Sequence, residues 1–434
     1  MDRRTTNESC DRFSVYLDGL ASVIGPSNRS GPLRDYCKGL LLPASRKSVE
    51  PMAAITDPSR TAAQHQCLLH FVGNSPWSDQ DVLDKVRETV LSKMASHGPI
   101  TSWIFDDTGF PKKGKHSVGV ARQYCGQLGK QDNCQVAVSM SIANAHASLP
   151  VAYRLYLPKD WANDPVRRKK VGVPEDVVFK TKPEIALDQL KWACEADLPR
   201  GVVLMDAGYG VNTELRQGIT ALGLQYAVGV SPNATVWTAG TAALPPVQPS
   251  GRGRPAVRPR RDDQHQPTAI DTLALELPQG DWHSIEWREG TNTPLKSRFA
   301  RVRVRCAHDL RRLTETIPEE WLVIEWPEDE PEPTKYWFST LDETVLFADL
   351  IDTIKQRWRI ERDYLELKQE VGLGHFEGRG WRGFHHHATL CIAAYGFLVM
   401  EKAAFPPSET RRRLFRAQPA VPENYRPRGA AVAH

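Results

Sequence analysis

Three carboxylates stand far apart in this chain, each in a short segment with its own pattern. Asp106 sits in Trp103-Ile-Phe-Asp-Asp-Thr108, Asp206 in Val202-Val-Leu-Met-Asp-Ala-Gly208, and Glu361 in Arg357-Trp-Arg-Ile-Glu361. Both aspartates end apolar runs, which predicts strand ends; the glutamate lies in a segment with helical spacing. Brought together by folding, they would form an all-oxygen donor set suited to hard Mg²⁺ or Mn²⁺ ions. Two such ions held by carboxylates can promote in-line displacement at a phosphodiester.

Around Glu361 the spacing carries more. Arg357 precedes it by four residues and Lys368 follows it by seven. At about 100° per residue these offsets put Arg357 about 40° and Lys368 about 20° to the same side of Glu361. One helical face is therefore predicted to carry a carboxylate flanked by cations, with Tyr364 close by. Such a face suits a metal-bound phosphodiester, although i→i+4 spacing also describes an ordinary surface salt bridge.

The elements that must position these groups follow from periodicity. Residues 1–98 read as a helical N-terminal region, expected to bind DNA, with Phe13, Tyr16, Leu17 and Leu20 on one face. A further helix is predicted over Val82–Met94 with Ser78 as its N-cap. Residues 99–231 read as strands Ser102–Asp107, Cys134–Ala143 and Leu149–Leu157, a helix over Lys182–Cys194, the buried strand Val202–Asp206, a helix over Asn212–Leu222, and a strand over Leu224–Val230. The order β-β-β-α-β-α-β is that of a ribonuclease-H-like α/β fold with a mixed sheet. Residues 232–344 interrupt it with a basic Pro/Gly/Arg-rich linker (Pro232–Pro267) and a β-rich insertion. Residues 345–403 resume the core, with a helix over Val345–Val371 and an apolar one over Phe384–Lys402. A Pro/Arg-rich tail, 404–434, is expected to be disordered.

Bulk properties narrow the function classes. At 434 residues two or three domains are expected, and 41% apolar with 25% charged residues is globular composition. The net charge of +4 is small, but cations cluster at Arg167–Lys170, at Arg252, Arg254, Arg258, Arg260 and Arg261, and at Arg411–Arg413. Such clusters beside a carboxylate set favour phosphate contacts over bare solvated surface. The eight cysteines contain no C-x-x-C pair, and neither structural zinc nor a disulfide framework is expected. The N-terminus lacks a signal-type apolar core, and Ala388–Met400 is too short to span a bilayer. A cytoplasmic protein without membrane contact is expected. No Walker A pattern occurs, so no nucleotide cofactor is expected.

The pattern Arg357-x3-Glu361-x6-Lys368 resembles the third motif of DDE transposases from bacterial insertion sequences, in the branch reading Y-x2-R-x3-E-x6-K. Ile354 stands at the tyrosine position. The run Phe105–Val120 is similar to the first-aspartate motif of that superfamily. Gln123-Tyr-Cys-Gly126, Asn133-Cys-Gln135 and Tyr156–Trp161 resemble the segments that follow it. Val203–Gly210 resembles the second-aspartate motif, and Gly380–His387 the trailing segment. Together these cover about residues 100–400. The resemblance implies Asp106, Asp206 and Glu361 as catalytic metal ligands for two Mg²⁺ or Mn²⁺ ions, and an insertion between the second and third carboxylates. It also implies double-stranded DNA as partner (terminal inverted repeats and target), a homodimer on DNA, and action at the bacterial nucleoid. Arg357, Lys368, Lys112 and Lys113 are the expected DNA contacts. Neighbours on a strand face opposite ways, so only one of Asp106 and Asp107 can enter the site; the resemblance favours Asp106. A nuclease that does not join strands, and a non-catalytic DNA-binding derivative, are the other readings this pattern leaves. His385–His387 cannot jointly ligate one ion from a helix, where successive side chains diverge by about 100°; packing is expected of them.

Overall fold

The computed structural model describes residues 3–245, 260–289, 294–307 and 318–405. Arg252, Arg254 and Arg258 of the basic linker and the tail from residue 406, with Arg411–Arg413, lie outside those residues. Five helices open the chain: α1 (Arg3–Ala21), α2 (Ser30–Leu41), α3 (Val49–Thr56), α4 (Thr61–Gly73) and α5 (Asp79–Ala95). The predicted apolar face of α1 is present, with Tyr16, Leu17 and Leu20 buried and Phe13 partly so. Ser78 caps α5 by accepting from the Asp81 amide.

The core follows with β1 (Ser102–Pro111), β2 (Ala121–Cys125), β3 (Lys130–Ala143) and β4 (Ser148–Leu155), then the short helices α6 (Lys159–Ala162) and α7 (Pro165–Val171). Helix α8 (Lys182–Glu195) starts at a Thr181/Glu184 capping box. After it come β5 (Val202–Met205), α9 (Ala207–Gly210), α10 (Thr213–Ala221) and β6 (Tyr226–Val230). Strands β4-β3-β1-β5-β6 lie side by side, β3 antiparallel to its neighbours and β1, β5 and β6 mutually parallel. This is the mixed α/β, ribonuclease-H-like arrangement. Strand β5 is apolar along its length because it is covered on both faces.

The remaining strands extend the same sheet. After β7 (Thr235–Thr238), β8 (Thr268–Ala269) and α11 (Ile270–Glu276) come β9 (His283–Glu289), β10 (Pro294–Cys306), β11 (Glu320–Trp326) and β12 (Lys335–Ser339). Strand β12 pairs antiparallel with β6, Tyr336 opposite Val230, and the path continues through β11 and β10 to β7 and β8. The chain then forms α12 (Phe347–Lys355), α13 (Trp358–Glu366), a π-helical turn over Leu367–Val371 and α14 (Trp381–Ala404).

Three local readings are corrected. Strand β1 runs past Asp107 to Pro111, because its whole length pairs with β3, from Ser102 opposite Ala143 to Pro111 opposite Cys134. Strand β2 had no apolar alternation strong enough to announce it; it exists through its hairpin with Lys130–Cys134. The single helix expected over Val345–Val371 breaks at Gln356–Arg357, and its end widens into the π-turn before Gly372 in a left-handed conformation.

Helix α14 is buried nearly all round from Phe384 to Val399. It packs between α2, α4 and α5 on one side and β4 on the other, so the N-terminal helices and the sheet share one apolar core. The histidine triplet staples these layers together. His385 lies between the Trp381 carbonyl and the Leu155 amide. His386 stacks on Trp77 with centroids 3.5 Å apart and faces the Val72 and Trp77 carbonyls. His387 meets the Tyr36 hydroxyl and the Gly372 carbonyl. Burial pushes both His386 and His387 down to about 4. Among the described residues no helix is long and apolar enough to cross a membrane.

Candidate active site

The register of the parallel pair β1–β5 places Ser102, Trp103 and Ile104 opposite Val202, Val203 and Leu204. Two residues further on, Asp206 follows the end of β5 and Asp106 lies within β1, just past the last residues that pair with β5; neighbouring strands run about 4.8 Å apart. Ile104 belongs to the apolar layer under α12 and α13, together with Leu204, Ile351, Ile354, Ile360 and Tyr364. The two-residue pleat carries Asp106 to that same side. Asp107 points the other way, where the Lys182 ammonium at the start of α8 binds it at 2.8 Å. The pleat therefore separates the two carboxylates as the sequence predicts.

Asp206 caps α9, accepting from the Tyr209 amide. The turn is pressed against β6: a Cβ on Gly210 would lie 1.9 Å from the Gly229 carbonyl oxygen, and one on Gly229 would lie 2.8 Å from the Ala207 nitrogen. Glycine at both positions is what allows this approach.

Arg357 ties the third carboxylate to the first. Standing at the break between α12 and α13, it donates from Nη1 to Asp106 Oδ2 at 2.9 Å and from Nη2 to Glu361 Oε1 at 2.5 Å. Burial works against its charge, but Asp106, Glu361 and Asp206 outweigh that and hold its pKa above the ordinary value. Asp106 is pushed up to about 7: burial is the main cause, Arg357 opposes it, and Asp206 adds to it. Among the described residues no group of three acidic, histidine or cysteine side chains is set to hold a metal ion. The guanidinium is the cation that Asp106 and Glu361 share here. Burial, which strips water from the carboxylate, is what keeps Asp106 raised even beside an arginine. The donor chemistry, all carboxylate oxygen, fits Mg²⁺ or Mn²⁺.

Helix α13 is held over the site by contacts that spacing alone did not reveal. The Tyr364 hydroxyl donates to the Asp106 carbonyl at 2.9 Å and lies 2.7 Å from Ser139 Oγ. Fully buried Asp363 accepts from Ser141 (2.8 Å), Ser148 (2.5 Å) and Tyr395 (2.9 Å), joining β3, β4 and α14 to the helix that carries Glu361. Burial raises Asp363 to about 6 despite those donors. Tyr209 is buried beside Asp107, Asp106 and Asp206, and burial followed by those charges lifts its hydroxyl well above the usual range.

The other candidate cations are placed differently. Lys368 lies beyond the onset of the π-turn and reaches the Gly109 carbonyl of β1 at 2.9 Å, 4.9 Å from the centre of the Phe110 ring. Burial lowers it to about 8. Lys112 is half-buried and donates to the Phe376 carbonyl at 2.7 Å. Lys113 is exposed.

A family model described as "DDE superfamily endonuclease" matches residues 20–294, and the chain belongs to that family. The match includes Asp106 and Asp206 and ends before Glu361. The chain is also 30% identical over 196 residues to a protein of Microchaete diplosiphon named "Probable transposase for insertion sequence element IS701". That alignment covers 45% of this chain and 47% of the relative, so it spans about half the relative's length.

Proposed function

We propose that this chain is the transposase of an insertion sequence, cutting DNA at the element's ends and joining them to a target. The observation that carries the reading is Arg357 bridging Asp106 and Glu361, with Asp206 on the strand beside Asp106. Family membership and similarity to a named transposase support it.

Asp106, Asp206 and Glu361 would hold two Mg²⁺ or Mn²⁺ ions, which supply charge neutralisation at the phosphodiester and an acidified water. The protein's own part is positional. To hold an ion Asp106 would have to be ionised and part from Arg357. The guanidinium would then be free to bind phosphate, its fork suiting two phosphate oxygens. Lys368 and exposed Lys113 add positive charge along β1. Attack by the freed 3′-hydroxyl on target DNA repeats the same displacement at the same carboxylates, so no covalent protein intermediate is required. Bringing two ends together calls for a homodimer on double-stranded DNA. Acting on bacterial DNA, the protein would work in the cytoplasm at the nucleoid.

The test is incubation with Mg²⁺ and DNA carrying the inverted repeats that flank the gene, with Asp206→Ala as control. Joined products are expected from the wild type alone. Cut products without joining would assign a plain nuclease, and a mobility shift without cutting would assign a binding protein.

A further inference from the structure

The cation run Arg167–Lys170 has no part in the carboxylate site. In the folded chain it meets two other basic segments remote in sequence. The loop after β1, Lys112-Lys-Gly-Lys-His116, is held by Asn133, whose amide donates to the carbonyls of Lys112 (2.5 Å) and Gly114 (2.8 Å). Arg167 of α7 stacks 3.7 Å over the buried Trp161 ring and donates to the Lys115 carbonyl at 3.4 Å. The irregular segment before α14 closes the third side. The Arg379 carbonyl accepts from the Val118 amide at 3.0 Å, the Phe376 carbonyl accepts from Lys112, and the Gly380 Cβ position lies 3.5 Å from the Val171 carbonyl.

Some cations on this patch are spent on the fold. Lys112 is bound to Phe376, and Arg168 donates to the carbonyls of Ala162, Pro174 and Glu175. The nearby acids are partly engaged too: Asp164 caps α7, and Glu377 pairs with Arg46. Lys113, Lys115, Lys169, Lys170 and Arg379 are exposed. None of these five makes an ion pair or a side-chain hydrogen bond among the described residues. Five unneutralised cations gathered from three segments onto one rigid backing form a surface for a polyanion rather than a solvated charge run, which would scatter or pair.

We propose that Lys113, Lys115, Lys169, Lys170 and Arg379 form one phosphate-binding surface that grips the DNA duplex on one side of the cleavage site. The inference rests on the transposase reading, which supplies the DNA, and adds where the duplex runs. Pro111 ends β1 about 17 Å from Asp106, at about 3.4 Å per residue. With the duplex rising about 3.4 Å per base pair, the surface meets phosphates from about five base pairs beyond the scissile bond. The contacts are to backbone, so this surface contributes affinity and direction without reading sequence.

The triple variant Lys169→Ala, Lys170→Ala, Arg379→Ala tests this, with a 40-base-pair duplex carrying the element's end and its flank as probe. Binding is read by fluorescence anisotropy across a salt series, and folding by thermal unfolding. Affinity is expected to fall at least tenfold near 0.1 M salt, with the slope of log K against log salt reduced by about two to three and the melting temperature unchanged. Wild-type binding with no change of affinity or slope in the variant would overturn the proposal while leaving the transposase reading intact. A wild type that binds no duplex would remove that reading, and this surface with it.

Discussion

Asp106→Asn, Asp206→Asn and Glu361→Gln are each expected to cut Mg²⁺-dependent cleavage of end-bearing DNA by at least about a thousandfold, since each removes several kcal/mol of charge stabilisation from the displacement. Duplex binding in the absence of metal should survive in all three, because the cations that meet phosphate are untouched. The check is a single-turnover cleavage assay alongside anisotropy with the same duplex. Glu361→Gln is the most informative of the three. The family match ends at residue 294, so the role of Glu361 rests on its link through Arg357 to Asp106. Glu361 is also 58% exposed at its side chain, as a surface salt bridge would be. Near-wild-type cleavage by Glu361→Gln would reduce the Arg357–Glu361 contact to that.

Asp106→Asn is also expected to make the metal-free protein more stable at pH 8. In an unfolded chain an aspartate titrates near about 3.9, whereas folded Asp106 is raised to about 7. Between those values the native state holds the extra proton. The stability this confers is complete below pH ~4 and is lost as pH rises through about 7. Asparagine does not ionise and escapes the loss. Because the carboxylate is 18% exposed and faces Arg357, the gain is discounted to on the order of 2 kcal/mol. Urea unfolding in chelator should show the variant ahead at pH 8 and level with the wild type near pH 4. Excess Mn²⁺ at pH 8 should reverse the order, stabilising the wild type through binding to the native state and leaving the variant where it was. A gap that ignores both pH and metal would mean that Asp106 is not a buried, metal-seeking carboxylate.

What the sequence disclosed depended on how local each constraint was. Strand alternation separates Asp106 from Asp107, and the fold obeys it, Asp107 going to Lys182 on the opposite face. The four-residue step from Arg357 to Glu361 is likewise a property of one helix turn. Lys368 shows where that reasoning stops: like Arg357 and Tyr364 it meets β1, as one helical face should, but its ammonium is held by the Gly109 carbonyl, a partner that helical spacing does not name. Lys112 was legible as part of a basic loop but not as half-buried, because its partner, the Phe376 carbonyl, is 264 residues away in sequence. Asp363 carries no local signal in its charged helix, and only the arrival of Ser141, Ser148 and Tyr395 makes it an anchor. Strands β9 to β12 could be found from their apolar runs, whereas β7 falls in the stretch that reads as a linker. Their continuation of the core sheet through β12 and β6 is a matter of pairing between distant segments, which composition does not encode.

Histidines 385–387 give the opposite lesson. Helical geometry alone excluded a shared ion, and their three separate sets of partners agree with that. The charge run at Arg167–Lys170 required the fold for any meaning, since Lys115 and Arg379 reach it only through tertiary contacts.

The most direct test of the central claim is a crystal structure of the wild-type protein bound to its DNA end in Mn²⁺, with anomalous scattering used to locate the ions. Two manganese peaks bound by Asp106, Asp206 and Glu361, with the Arg357 guanidinium moved from Asp106 to a phosphate, are the predicted result. Manganese bound elsewhere, or Arg357 still bridging Asp106 and Glu361 with the DNA in place, would contradict the account.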